Sequence, residues 1–236
     1  MRTRSRYPLL WETTETLWLN AVAAFLERDL PSLLQQRGRL AGLEKEAAAA
    51  LDLGTTGTSL QVLGRFDRIV ASPEGVVVSD YKTSGNLDRH VSPKGMLKGL
   101  SLQMPLYLLL AESLAARGDL EAAPIRAEVL GVGPGYADDD ARADLELATL
   151  AKYREALLET LGVLREMSAG GSFPLNETSW LCERCPYTRA CRRWHVPTLG
   201  RIASAPDASD YALVRRKNTR QATLEMVRQR GGEEDT

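Results

Sequence analysis

Two apolar, β-branched runs joined by a short Pro–Gly loop constrain this chain more than any other feature. "SLQVLGRFDRIV" (59–70) and "GVVVSDYK" (75–82) flank "ASPEG" (71–75). Val and Ile favour extended backbone, and Pro and Gly favour a turn, so the stretch reads as a β-hairpin. The second run is apolar enough to be a buried strand, yet it ends in Asp80 and, two residues on, Lys82. Side chains two apart on a strand share a face. Asp67, on the first strand, can come near Asp80 across the turn. Two carboxylates and one lysine on a sheet face are costly without a cation or an ion-pair network. The plain alternative is that Asp67–Arg68 and Asp80–Lys82 are surface ion pairs at strand ends.

The remaining elements fall around this hairpin. Trp11 to Gln36 has apolar residues at helical spacing, and Pro31 is expected to kink or divide it. Ala47 to Leu51 reads equally as helix or strand. "PKGMLKGLSLQMPLYLLLAESLAARG" reads as a helix ending at Gly118, with an irregularity at Pro105. "PIRAEVLGVG" reads as a third strand. The acidic run "ADDDARADLE" is expected to open a long helix to about Met167, since carboxylates suit a helix N-terminus. Helix, hairpin, helix, strand, helix is an α/β order with a mixed sheet.

Hard oxygen ligands such as Asp67 and Asp80 suit Mg²⁺, which polarises a phosphodiester and lowers the pKa of a bound water. Lys82 would then orient the attacking water or stabilise charge. In "SLQMPLYLL", Gln103 and Tyr107 stand at i and i+4 on one helix face otherwise made of Leu and Met. They are either a hydrogen-bonded pair packed on the sheet or groups reaching a phosphate or the lysine.

"GRFDRI", "SDYKTSG" and "GLSLQMPLY", in that order and spacing, resemble the RecB-like branch of the PD-(D/E)xK nuclease superfamily. Its members include the nuclease domains of AddB and RecB helicase–nuclease subunits and CRISPR-associated RecB-like nucleases. The resemblance covers roughly residues 43–194. It implies a restriction-endonuclease-like core, a small mixed sheet flanked by helices, followed by a cysteine module. It implies Asp67, Asp80 and the Tyr81 carbonyl as ligands of Mg²⁺ or Mn²⁺, and Lys82 as the catalytic lysine. Gln103 and Tyr107 match the family's Q-x-x-x-Y motif. A glutamate on the strand before the hairpin is also usual in the family; Glu44 and Glu46 both stand in that region, and Glu46 is taken for the role. The corresponding divisions are a helical segment at 1–42, the core at 43–169, the cysteine module at 170–196 and a polar basic tail at 197–236.

All three cysteines lie in "CERCPYTRAC", as C-x2-C-x5-C (Cys182, Cys185, Cys191). A clustered, odd set argues for a metal or cluster in a reducing compartment rather than a disulfide framework, so a cytoplasmic protein is expected. In AddB-like nucleases such a triple resembles three of four ligands of a [4Fe–4S] cluster. The fourth cysteine and a histidine, both upstream in the family, are missing here, as expected of an N-terminally shortened version, a fragment or a diverged relative, and the ligand set is incomplete. His195 offers a Cys₃His zinc site instead.

A net charge of −1 gives no global positive field, so DNA must be held by local patches. Arg184, Arg189, Arg192 and Arg193 in the module, and Arg215, Arg216, Lys217 and Arg220 in the tail, are candidates for phosphate contact. No apolar run approaches a membrane span, and no phosphate-binding G-x-x-x-x-G-K-[ST] is present, so any helicase partner is another subunit or another part of the polypeptide. The expected function is a magnesium-dependent DNA nuclease, an exonuclease in recombinational repair. Its rivals are a non-catalytic DNA-binding or assembly module that keeps the fold, and a zinc-binding interaction protein.

Overall fold

The computed structural model describes residues 8–54, 59–83, 85–136, 141–172, 185–187, 190–191 and 195–204. In chain order the elements are α1 (Pro8–Gln35), β1 (Arg39–Asp52), β2 (Ser59–Ser72), β3 (Gly75–Lys82), α2 (Asp88–Val91), α3 (Pro93–Leu97), α4 (Gln103–Ala116), β4 (Pro124–Gly131), a 3₁₀ turn (Pro134–Tyr136), β5 (Arg142–Glu146), α5 (Leu147–Ala169) and α6 (Val196–Ala203). One sheet has the order β1-β2-β3-β4-β5. All neighbours are antiparallel except β3 and β4, which are parallel. A parallel pair needs a crossover, and the segment carrying α2, α3 and α4 supplies it.

The hairpin forms with a tight turn at Pro73–Glu74, because Ser72 pairs directly with Gly75. Gly75 has φ +142, and an added Cβ there would lie 2.6 Å from Ile125 and 2.8 Å from the Ala123 carbonyl, so backbone freedom and space both require glycine. Val76 and Val78 enter the main core on the α4 side. Tyr81, of opposite parity, packs edge-on against Phe25 of α1, with ring centroids 5.8 Å apart. β3 is thus a central strand covered by a helix on each side.

Ala47 to Leu51 is strand. Ala47, Ala49 and Leu51 are buried while Glu46, Ala48, Ala50 and Asp52 are exposed, a period of two. Pairing along β2 from Arg39 to Asp52 overrides the helical preference of alanine. The small methyl groups of Ala47 and Ala49 let α4 sit close on this face.

Three expectations are corrected. α1 runs through Pro31 as one 28-residue helix. The helix expected from Pro93 to Gly118 is two helices, broken between Leu97 and Gln103, where the Gly95 carbonyl accepts from the amides of Leu100 and Ser101. Pro105 falls in the first turn of α4, where a missing amide costs nothing. The acidic run does not open the last long helix. Arg142–Glu146 is a strand, with Ala143 and Leu145 buried and Asp144 and Glu146 exposed, and α5 begins at Leu147 without an acidic residue in its first turn. Alternation over five residues here outweighs the charge signal. Residues 137–140 lie outside the described residues.

Candidate active site

The site forms where β3 and its pairing with β2 end, on the α4 side. Along β2 the core-facing positions are first even: Leu60, Val62 and Phe66 pack on this side, and a Cβ at Gly64 would meet Leu110 and Tyr107. From Ile69 and Ala71 onward they are odd, while Arg68 faces α1 through Asp29. The alternation therefore slips by one position at Asp67. On β1, Glu44, across from Asp67, has φ +47, which is the left-handed region. Arg68 pairs with Ser79 in the β2–β3 ladder, so Asp67 and Asp80 stand opposite each other one row further on. The Asp67 carboxylate accepts from the Tyr81 amide at 3.0 Å, which ties the slip to β3.

Asp80 and Lys82 share the α4 face, as their spacing implies, and Lys82 Nζ lies 2.6 Å from Asp80 Oδ2. Gln103, the first residue of α4, spans the two: its Oε1 accepts from Lys82 Nζ at 3.1 Å and its Nε2 donates to Asp80 Oδ1 at 2.5 Å. An ammonium only donates and a carboxylate only accepts, so these neighbours fix which way the amide points. One turn later, the Tyr107 hydroxyl lies 3.3 Å from Gln103 Nε2 and donates to the Arg65 carbonyl at 2.5 Å. Burial first, and then the negative charges of Asp80 and Asp67, raise the Tyr107 pKa above 10, although the Gln103 hydrogen bond and Arg65 oppose the shift. The phenol therefore stays protonated and serves as a fixed donor. Phe66 holds the Tyr107 ring from below, edge-on, at 5.0 Å.

The donor set fits a hard divalent cation. Asp80 is 4% exposed. Among the described residues its Oδ2 accepts no hydrogen bond in acceptable geometry, despite the 2.6 Å approach of the lysine. A buried carboxylate oxygen with an unused lone pair has the chemistry of a hard-cation ligand, and Asp29 Oδ1 on the opposite face has the same property. In this arrangement the Lys82 ammonium stands in for positive charge against Asp80 Oδ2.

Glu46 does not join the pair. It alternates with buried Ala47 and Ala49, so its side chain leaves on the exposed face of β1, where it pairs in register with Arg65. Glu44 is engaged by Arg65 Nε at 3.0 Å. No group of three His, Cys, Asp or Glu side chains converges among the described residues. The same holds for the cysteines: Cys185 is half-buried, Cys191 is exposed, and Cys182 lies outside the described residues. No cluster or zinc site is formed by what is described. Of the basic residues expected to contact phosphate, Arg184, Arg189, Arg192, Arg193 and those of the tail also lie outside.

Two features escape sequence reasoning. His90, on α2, has its pKa lowered by burial first, then by Arg89 and Lys82, with Asp80 opposing, which places it within electrostatic reach of the site. Arg68 is not the ion-pair partner of Asp67. It turns to the opposite face of the sheet and binds Asp29 and Glu128. No local spacing signals either arrangement.

Comparison with known proteins gives a family match. The family model described as "PD-(D/E)XK nuclease superfamily" matches residues 4–192. No curated protein matches. Among solved structures, one titled "Crystal structure of SSO0001" is 18% identical, with a TM-score of 0.36 over 71% of this chain and 66% of that one. The chain thus spans slightly under two thirds of that protein's length.

Proposed function

This chain belongs to the PD-(D/E)XK nuclease superfamily, and from that premise we propose that it is a DNA nuclease of the RecB-like branch, dependent on Mg²⁺ or Mn²⁺. It acts as an exonuclease in recombinational repair in the cytoplasm, with a helicase supplied by a partner subunit or by another part of the polypeptide. The carrying observation is the constellation itself: a buried Asp80 with Lys82 at 2.6 Å, Gln103 bridging the two, and Asp67 tied to the next residue of β3. Asp67, Asp80 and the Tyr81 carbonyl would hold the ion. Bound there, a divalent cation polarises a phosphodiester and makes a water more acidic.

The chain's own residues do the rest. Lys82 presents its ammonium to the charge that grows on the phosphate oxygens and holds the attacking water in line. Gln103 fixes Lys82 and Asp80 relative to each other, and so removes the reorganisation a free lysine would need. Tyr107 pins Gln103 to the backbone of β2 at Arg65.

End-labelled single- and double-stranded DNA incubated with Mg²⁺, Mn²⁺ or EDTA tests the reading. Metal-dependent release of nucleotides that Lys82→Ala slows by about 10²–10³-fold supports it. Cleavage by the variant at the wild-type rate, or none by the wild type with either ion, would overturn it. The second reading, a non-catalytic DNA-binding module, is favoured by one observation: among the described residues no third acidic group joins Asp67 and Asp80. DNA retention without cleavage would select it. The cysteines carry no part in either reading.

A further inference from the structure

The face of the sheet opposite the site holds a second set of buried charges that the proposed reaction does not use. The Arg68 side chain is 5% exposed. Its Nη1 donates to Asp29 Oδ2 of α1 at 2.6 Å, and its Nη2 to Glu128 Oε1 of β4 at 3.2 Å. The Ser79 hydroxyl donates to the same Glu128 oxygen at 2.8 Å. Arg142 of β5 adds Nη1 at 3.5 Å from Glu128 Oε2, and Nη2 at 3.9 Å from Asp29 Oδ1. Such networks seldom stabilise a fold beyond what apolar side chains of the same volume would give. Their advantage is geometric, because a guanidinium fork engages two acceptors in one alignment only.

That alignment coincides with a row of the sheet. Arg68 pairs with Ser79, and Ser79 with Glu128. The row spans β2, β3 and β4 and lies immediately before Asp67 and Asp80. It also adjoins the one place where β2 slips its alternation, where apolar packing alone specifies register weakly. The Arg68 guanidinium further lies 5.7 Å from the centre of the Tyr81 ring, next to Asp80 in sequence. From these contacts we infer that Arg68 is a positioning residue: acting through Ser79 and Glu128, and clamped by Asp29, it locks the register of β2, β3 and β4 and so sets where Asp67 stands relative to Asp80. The inference rests on the metal-nuclease reading for its consequence, but not for its geometry.

The test uses Arg68→Lys, which keeps the charge and loses the fork, and the apolar triple Asp29→Leu/Arg68→Met/Glu128→Met. Two readouts apply to both. The first is amide hydrogen exchange without metal, comparing the Tyr81 amide, which bonds Asp67, with the Ile69 and Val78 amides deeper in the same strands. The second is Mn²⁺ affinity by calorimetry. A register lock predicts Tyr81 exchange faster by about tenfold while Ile69 and Val78 stay protected, as expected for a local opening. Mn²⁺ binding should weaken by a similar factor. Uniform acceleration of all three amides, or unchanged Tyr81 exchange in Arg68→Lys, would overturn the inference. If the triple does not fold, Arg68→Lys alone decides. If wild type binds no Mn²⁺, the nuclease reading fails, and the exchange data still settle the register lock.

Discussion

The two faces of the sheet both bury charge, but they balance it differently. On the α1 face, Asp29 and Glu128 meet Arg68, Arg142 and, at 3.7 Å, Arg126, so each acid faces a guanidinium, although Asp29 Oδ1, like Asp80 Oδ2, accepts no hydrogen bond among the described residues. On the α4 face, Asp80 meets Lys82 and Gln103, Asp67 accepts from the Tyr81 amide, and the Tyr107 phenol joins through Gln103. An unmatched set held in place by polar neighbours is left with negative charge that a cation would neutralise. The comparison sets a three-guanidinium network against a candidate site with a single ammonium.

The largest expected effect breaks the matched face. Glu128→Ala leaves Arg68 buried and Ser79 without its acceptor, and should cost about 3–5 kcal/mol of stability in a denaturant melt. A loss below about 1 kcal/mol would mean that the matched face is not matched in solution. Next is Lys82→Ala, which should lower the cleavage rate by about 10²–10³-fold, roughly 3–4 kcal/mol of barrier, while DNA retention on a filter is unchanged. Third, Asp80→Asn removes surplus negative charge, so in EDTA it should melt within about 1 kcal/mol of wild type, against about 2–3 kcal/mol lost in Asp29→Asn. The thermal shift that Mn²⁺ gives the wild type should vanish in Asp80→Asn and persist in Asp29→Asn if that variant folds. The smallest effect is Tyr107→Phe, which keeps the ring against Phe66 and loses the bond to the Arg65 carbonyl. It should cost about 1 kcal/mol of stability, and its rate should fall less than that of Lys82→Ala.

The legible parts of the site are those set by short spacing. Asp80 and Lys82 share a face because they are two apart on a strand, and Gln103 and Tyr107 because they are four apart on a helix. The hairpin follows from valines on either side of a proline and a glycine. What was not legible depends on partners far along the chain. β1 is alanine-rich, and only its pairing with β2 makes it extended. β5 carries the acids of a helix start, but only the edge of β4 makes it a strand. Glu46 stands in the region expected of a ligand, yet one buried methyl beside it, Ala47, turns its side chain the other way. Arg68 sits next to Asp67 in sequence, and the alternation slip at Asp67 sends the two to different partners.

That slip bears on how the molecule assembles. The contacts that build the site close 21 positions from Lys82 to Gln103, 23 from Asp80 to Gln103 and 42 from Tyr107 to Arg65. Arg68 closes 39 positions to Asp29 and 60 to Glu128, and the second is longer than any in the site. Loop-closure entropy grows with length, and distant pairings come late. The hairpin and α4 therefore meet first, at a stage when β2 can still settle in either phase. The last long-range contacts to form select between those phases, so a chain refolding without α1 would reach a compact state quickly and divide between two registers, only one of which aligns Asp67 with Asp80.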